Sequence, residues 1–292
     1  MTLIEAIKNA ENRKIAIGHF NIGNLEQLKA IAHVGARLNM PIIVGVSESE
    51  RTYLGVHHVV DFVRSYNDEY AKDGGFRLFL NADHTHSFDK VREATEAGFD
   101  EVLFDGGKLP FEENIAQTKE AVRIARSINP SVIVEGELGY IGSASEIRTG
   151  IPEGVAIKPE DLTKPEDALR FIKETGVDML APAVGNIHGM FADAPDPALD
   201  IARILAIKKA VGIPLVLHGG SGNSDADFRA AIAAGISIIH ISTEFRYAWR
   251  KALDAILKEH PMEIAPPKLM PDVVKAMEEV VERRVKLFSN FI

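Results

Sequence analysis

Eight short runs rich in β-branched residues recur along the chain, and between them lie longer stretches whose apolar residues fall three and four positions apart. This alternation is the pattern of parallel β/α units, and it narrows the fold more than any other feature. The runs are 15–22, 41–47, 76–83, 101–105, 131–138, 178–184, 214–218 and 237–242. Leu25, Leu28, Ile31, Ala32, Gly35 and Leu38 show the intervening pattern, one apolar stripe facing a sheet. Eight strands joined by helices predict an α/β fold, a closed TIM (β/α)8 barrel, with a doubly wound open sheet as the weaker alternative.

The 292 residues suit one barrel domain over 1–292, since no linker or shift of composition divides them. Two features depart from a minimal barrel. Residues 139–164 form a long connection after the fifth run, punctuated by Gly142, Gly150, Pro152, Gly154 and Pro159, and a connection of this length is expected to be lid-like. Beyond an eighth helix over 243–260, an additional C-terminal helix is expected over about 271–289. Its stripe of Val273, Val274, Met277, Val280, Val281, Val285 and Phe288 must dock on the barrel or on another subunit.

Charge and composition remove several classes of function. A net charge of −9 gives no general attraction to nucleic acid or to an anionic membrane, so an anionic ligand needs a local site. Without cysteine there is no disulfide, thiolate nucleophile or Cys-type zinc site, and a transition metal must be held by His and carboxylates. Charged residues interrupt the first fourteen positions, and no apolar run approaches the roughly 18 residues of a membrane span. The expectation is a cytoplasmic protein.

Barrel enzymes place their reacting groups at the C-terminal ends of strands. Here those ends read Asn81-Ala82-Asp83-His84, Asp105-Gly106-Gly107, Glu135-Gly136-Glu137, Asn186-Ile187-His188-Gly189 and His218-Gly219-Gly220-Ser221. A histidine at a strand end is ordinarily a capping or core group. Three of them on one rim, His84, His188 and His218, form the kind of three-nitrogen face that Zn²⁺ takes when it keeps an open position, although imidazole also suits iron, cobalt and nickel. The Gly219–Gly222 turn and the Ser242-Thr243 pair present backbone N–H groups in the loops after the seventh and eighth strands, where many barrels hold phosphate.

These residues are familiar as a set. Gly18-His19-Phe20-Asn21, Asp83-His84, Val134-Glu135-Gly136-Glu137-Leu138-Gly139-Tyr140-Ile141-Gly142, His188-Gly189 and His218-Gly219-Gly220-Ser221 resemble, over nearly the whole length, the class II metal-dependent ketose-bisphosphate aldolases. The resemblance implies one Zn²⁺ per subunit on His84, His188 and His218, with Glu137 as an additional or alternative ligand. It implies that Asp83 shuttles the hydroxyl proton while the metal polarises the ketone. Phosphate and substrate contacts are expected from Asn21, Ser47, Gly219, Ser221 and Thr243, and Gly185 and Gly189 would help hold a monovalent cation. The implied reaction is reversible retro-aldol cleavage of fructose 1,6-bisphosphate, or a related phosphorylated ketose, to dihydroxyacetone phosphate and an aldehyde. The implied assembly is a homodimer or homotetramer engaged in carbohydrate metabolism, with no nucleic acid or membrane partner.

Three segments depart from the family pattern. Asn81 stands where the family usually has His. The Glu expected to exchange a proton with the substrate carbon falls on Ser145, with Glu146 one residue on and Glu153 later, and Glu146 is the candidate. His240 stands where the family has a substrate-contacting Asn, and Ser242 replaces the usual Asp or Ala. These changes leave room for a metal-dependent hydrolase or isomerase, or for a non-catalytic sugar-phosphate binder, on the same barrel. A Schiff-base aldolase is disfavoured, because the sixth run carries no lysine.

Overall fold

A computed structural model describes residues 1–71, 74–142, 146–150, 154–192 and 196–290. The chain begins with helix α1 (Leu3–Arg13) and then enters β1 (Ile17–Asn21), α2 (Leu25–Leu38), β2 (Ile42–Val46), α3 (Glu48–Leu54) and α4 (Val56–Tyr70). It continues through β3 (Leu78–Thr85), α5 (Phe88–Ala97), β4 (Glu101–Phe104), α6 (Phe111–Ile128), β5 (Ile133–Leu138) and the short β6 (Ile147–Arg148). The second half holds α7 (Pro165–Thr175), β7 (Met179–Pro182), the short β8 (Met190–Phe191), α8 (Ile201–Val211), β9 (Leu215–Leu217), α9 (Asp225–Ala234), β10 (Ile236–Ile241), α10 (Thr243–Glu259) and α11 (Pro266–Phe288).

Eight of these strands close a parallel barrel in the order β1-β10-β9-β7-β5-β4-β3-β2, the TIM fold that the alternating pattern predicts. Period-two alternation sends every second side chain to the axis. Near the N-terminal end those side chains are Ile17, Ile43, Phe79, Ile133, Met179, Val216 and Ile238, and they form one buried cluster with Leu3, Ala6, Ile7 and Ala10 of α1. Helix α1 therefore plugs the bottom of the barrel, so a ligand must enter from the C-terminal rim. The alternate residues pack outward against the helical ring in a second, larger core.

The next positions along the axis are polar: His19, Asn81, Glu101, Glu135, His218 and His240 are all buried. Barrel interiors are ordinarily filled at this level by branched aliphatic side chains. Such a layer is tolerable only if its members satisfy one another or bind something.

Two short elements tie down the long connection after β5. Strand β6 pairs in parallel with β8, matching Ile147 with Met190 and Arg148 with Phe191. The Arg148 guanidinium also donates through Nε to the His188 carbonyl at 2.7 Å.

Helix α11 begins at Pro266, five residues before the start expected at Pro271. Pro266 and Pro267 take the first-turn positions where a missing N–H is harmless, and Pro271 lies inside the helix. Val273, Met277, Val281, Val285 and Phe288 are buried, and the helix lies along α2 and α10. Its apolar stripe thus docks on this chain's own barrel. No helix among the described residues is long and apolar enough to cross a membrane.

Candidate active site at the C-terminal rim

Strand β3 delivers the first two groups, and it does so by breaking alternation. Its register with β4 runs Ala82 to Val102 and then Thr85 to Phe104, so β3 carries one extra residue, a bulge. Within the bulge His84 adopts φ +41°, a left-handed conformation that costs a non-glycine residue about 1–3 kcal/mol. In a regular strand Asp83 and His84 would face opposite sides. The bulge brings both to one cavity.

Three imidazoles meet beside it, from β3, from the connection after β7 and from the residue that follows β9. Ring centroids of His84 lie 4.8 Å from His188 and 5.1 Å from His218, and those of His188 and His218 are 5.9 Å apart, each pair steeply inclined. One ligand-capable nitrogen from each ring lies within 4.8 Å of the other two. The remaining nitrogens are anchored. His84 Nδ1–H donates to Asp105 Oδ2 at 2.8 Å, His188 Nδ1–H to the Gly142 carbonyl at 2.8 Å, and His218 Nε2–H to Glu135 Oε1 at 2.9 Å. Such outer hydrogen bonds fix each ring's tautomer and leave one lone pair for a cation. His218 Nδ1 is buried without a hydrogen-bond partner among the described residues, as expected of a nitrogen that awaits one. The donor set therefore fits a tetrahedral cation with an open fourth position.

Electrostatics agree. Burial depresses His188 and His218 to about 3, so both are neutral at pH 7, the form a metal needs. Burial also opposes charging of His84, but the nearby Asp83, Asp105 and Glu137 carboxylates outweigh it and raise the pKa. A cationic charge is thus favoured where a metal would place one. Asp83 is pushed up by burial, yet His84, His19, His218 and donation from Asn21 hold it below the ordinary carboxylate range. Burial and then Asp105 push Glu137 upward; its Oε2 lies 3.8 Å from His84 Nδ1.

A cavity of about 960 Å³ opens above these groups and is lined by Asp83, His84, His188 and His240. Asn21, Ser47, Glu146, Gly189, Gly219, Ser221 and Thr243 line it as well, so the structure gathers these separately predicted residues on one rim. Glu137 is buried behind His84 and does not line the cavity. The Asn21 amide donates to Asp83 Oδ2 at 2.8 Å, which fixes that carboxylate's orientation. On the opposite side, Gly220–Gly222 form a 3-10 turn, and Ser221 Oγ accepts the N–H groups of Ser242 and Glu244 at 3.2 and 3.3 Å. Ser145 and Glu153 lie outside the described residues, whereas Glu146 sits at the cavity edge, 3.3 Å from Arg148 Nη1. His86 is a rim residue: its N–H donates to Glu48 and its side chain is largely exposed. Arg283 and Arg284 pair with Glu244, and Arg284 also reaches Asp225, so neither lines the cavity.

Sequence reasoning missed His19 as a site component. Its ring stacks on His240 with centroids 3.4 Å apart and planes 4° apart, and neither nitrogen finds a hydrogen-bond partner among the described residues. Burial depresses it to about 3. The available signal was Gly45, a glycine inside a strand, which marks a close approach. A Cβ there would lie 2.0 Å from His19 Cε1. Glu101 and Glu135 were likewise unassigned. Burial raises both, and their proximity favours keeping a proton on Glu101 while Glu135 receives His218.

Comparison with known proteins places this arrangement. The family model described as class II fructose-bisphosphate aldolase matches residues 1–291. The YdjI aldolase of Escherichia coli K12 superposes with a TM-score of 0.79 at 28% identity, covering 99% of this chain and 97% of its own. The fructose-bisphosphate aldolase of Campylobacter jejuni shares the fold, with a TM-score of 0.77 at 20% identity, covering 98% of this chain and 93% of its own. The chain belongs to the class II fructose-bisphosphate aldolase family and is an aldolase-type lyase.

Proposed function

We propose that this protein is a zinc-dependent aldolase that reversibly cleaves a phosphorylated ketose to dihydroxyacetone phosphate and an aldehyde, with fructose 1,6-bisphosphate as the reference substrate. The observation that carries the reading is the trio of His84, His188 and His218, each oriented by a second hydrogen bond, with His84 and His188 lining the same cavity as Asp83 and His218 buried against them. These three residues would hold one Zn²⁺ per subunit, with Glu137 as an additional or alternative ligand. When bound, the cation supplies Lewis-acid polarisation of the ketone.

The chain's own groups move the protons. Asp83, held by Asn21, accepts the proton of the C4 hydroxyl as the C3–C4 bond breaks and the aldehyde forms. Glu146 returns a proton to C3, so that triose and aldehyde together contain every atom of the ketose. Gly219, Ser221 and Thr243 receive the phosphate on the triose half, His240 contacts the hydroxyl and carbonyl region, and Gly189 with Gly185 supplies carbonyls for a monovalent cation. We place the enzyme in the cytoplasm as a homodimer or homotetramer, with residues 139–164 acting as a lid.

Asp83→Ala separates base from metal ligands. The variant should keep zinc at the wild-type level while kcat falls by two or more orders of magnitude, in line with loss of a general base. Wild-type turnover in that variant would remove Asp83 from the mechanism.

A further inference from the structure

A ketose lying across the metal site has two ends, and the two halves of the cavity offer them opposite environments. One half has the Gly219–Ser221 turn and Thr243. The other is built by the start of α3, with Ser47, Glu48, Ser49 and Thr52 lining it and Arg246 reaching in from α10. A second phosphate would need donors in that half.

Those donors are already taken by a carboxylate of the chain itself. Glu50, nearly buried, receives the Ser47 N–H at 2.7 Å and the Asn21 amide at 3.3 Å through Oε2, while its Oε1 is ion-paired with Arg246. Asn21 and Ser47 are two of the positions expected to bind phosphate; here the Asn21 amide is shared between Asp83 and Glu50, the Ser47 N–H serves Glu50, and the Ser47 hydroxyl lies 3.2 Å from that of Ser49. Arg246 is the one Lys or Arg among the described residues that line the cavity, and residues 143–145, 151–153 and 193–195 contain neither type. Arg148 is engaged with the His188 carbonyl and Glu146. Glu48 is the carboxylate that lines this end of the cavity itself, with its Oε1 accepting the His86 N–H at 2.8 Å. The α3 end of the cavity is therefore saturated with internal anions and lined by hydroxyl groups.

We infer that the substrate is a ketose 1-phosphate whose departing aldehyde is an uncharged, hydroxylated chain, and that Glu48 and Glu50 exclude a second phosphate. This rests on the aldolase reading and adds the substrate class to it. Fructose 1-phosphate then gives dihydroxyacetone phosphate and glyceraldehyde: the C3–C4 bond breaks, C3 gains a proton and the C4 hydroxyl loses one. Glu48 on the cavity wall repels a phosphate dianion and the buried Glu50 keeps Arg246 occupied, which together are enough for about a tenfold or larger preference.

The test compares kcat/KM of the zinc-loaded enzyme for fructose 1-phosphate and fructose 1,6-bisphosphate, read as dihydroxyacetone phosphate release, in the wild type and in the Glu48→Gln and Glu50→Gln variants. The expected result is a wild-type preference for the monophosphate of about tenfold or more, which narrows in each variant that folds. Preference for the bisphosphate overturns this inference alone, as does a ratio unmoved by either substitution. Absence of triose release from both ketoses overturns the aldolase reading and this inference with it.

Discussion

His19 and Gly45 are one feature written at two positions. The imidazole occupies the volume that any side chain at 45 would fill, with the hypothetical Cβ 2.0 Å from Cε1 and 2.4 Å from Nε2. The stack that results places His240 Nδ1 3.7 Å from Asp83 Oδ1, so this pair shapes the surroundings of the proposed base. Gly45→Ala should lower stability by roughly 1–3 kcal/mol through overpacking. In a His19→Ala background the same substitution should cost little, because the colliding ring is gone. Equal losses in both backgrounds, measured by urea denaturation, would show that the two positions do not interact. The pairing was hidden in the sequence because nothing local to β1 or β2 announces it; only closure of the barrel makes residues 19 and 45 neighbours. The three metal-type histidines were legible for the opposite reason. Each sits at a strand end beside glycine or an acid, and the barrel rule brings all such ends to one rim.

Among the elements, those set by periodicity could be read directly. Each barrel strand overlaps its expected run and six lie wholly within it, while β3 continues two residues further, to Thr85, and β10 begins one residue earlier, at Ile236; alternating apolar side chains can bury only one way in a closed sheet. Elements set by tertiary geometry could not. The β3 bulge leaves no local mark, yet it turns Asp83 and His84 to the same cavity. The apolar stripe that begins at Val273 marks α11 only from about residue 271, whereas the helix starts at the Pro266-Pro267 pair, where proline suits the first turn. Helix α1 carries its core stripe of Leu3, Ala6, Ile7 and Ala10, but only the open barrel floor gives that stripe a purpose. The turn after β9 makes a prediction at this scale. Gly219 has φ +62°, and a Cβ there would meet the Ile187 carbonyl oxygen at 2.4 Å. Gly219→Ala should therefore displace the turn and raise KM for a phosphorylated ketose about tenfold, with a smaller change in kcat if the turn binds phosphate uniformly. An unchanged KM would move the phosphate site elsewhere.

For the whole molecule, the polar layer across the barrel links stability to pH. His19 has its ordinary value of 6.5 in the unfolded chain and about 3 in the folded one, because burial disfavours its charged form. Below pH 6.5 the unfolded chain gains a proton that the folded chain refuses until about pH 3, so this residue's contribution to stability is lost as the pH falls across that window. Relative to a His19→Asn variant, with both proteins stripped of metal, the wild type should lose on the order of 1 kcal/mol for each pH unit of acidification in that range. Parallel stability curves would mean that His19 is not buried neutral.

The central claim is that three histidines and Asp83 form a metal-dependent aldolase centre. Its most direct measurement is dihydroxyacetone phosphate release from a panel of phosphorylated ketoses, made on the zinc-loaded enzyme, after EDTA treatment, and after zinc is restored. The account predicts triose release that EDTA abolishes and zinc restores. Stoichiometric zinc binding with no triose from any ketose would contradict it, and would assign the same site to a different reaction.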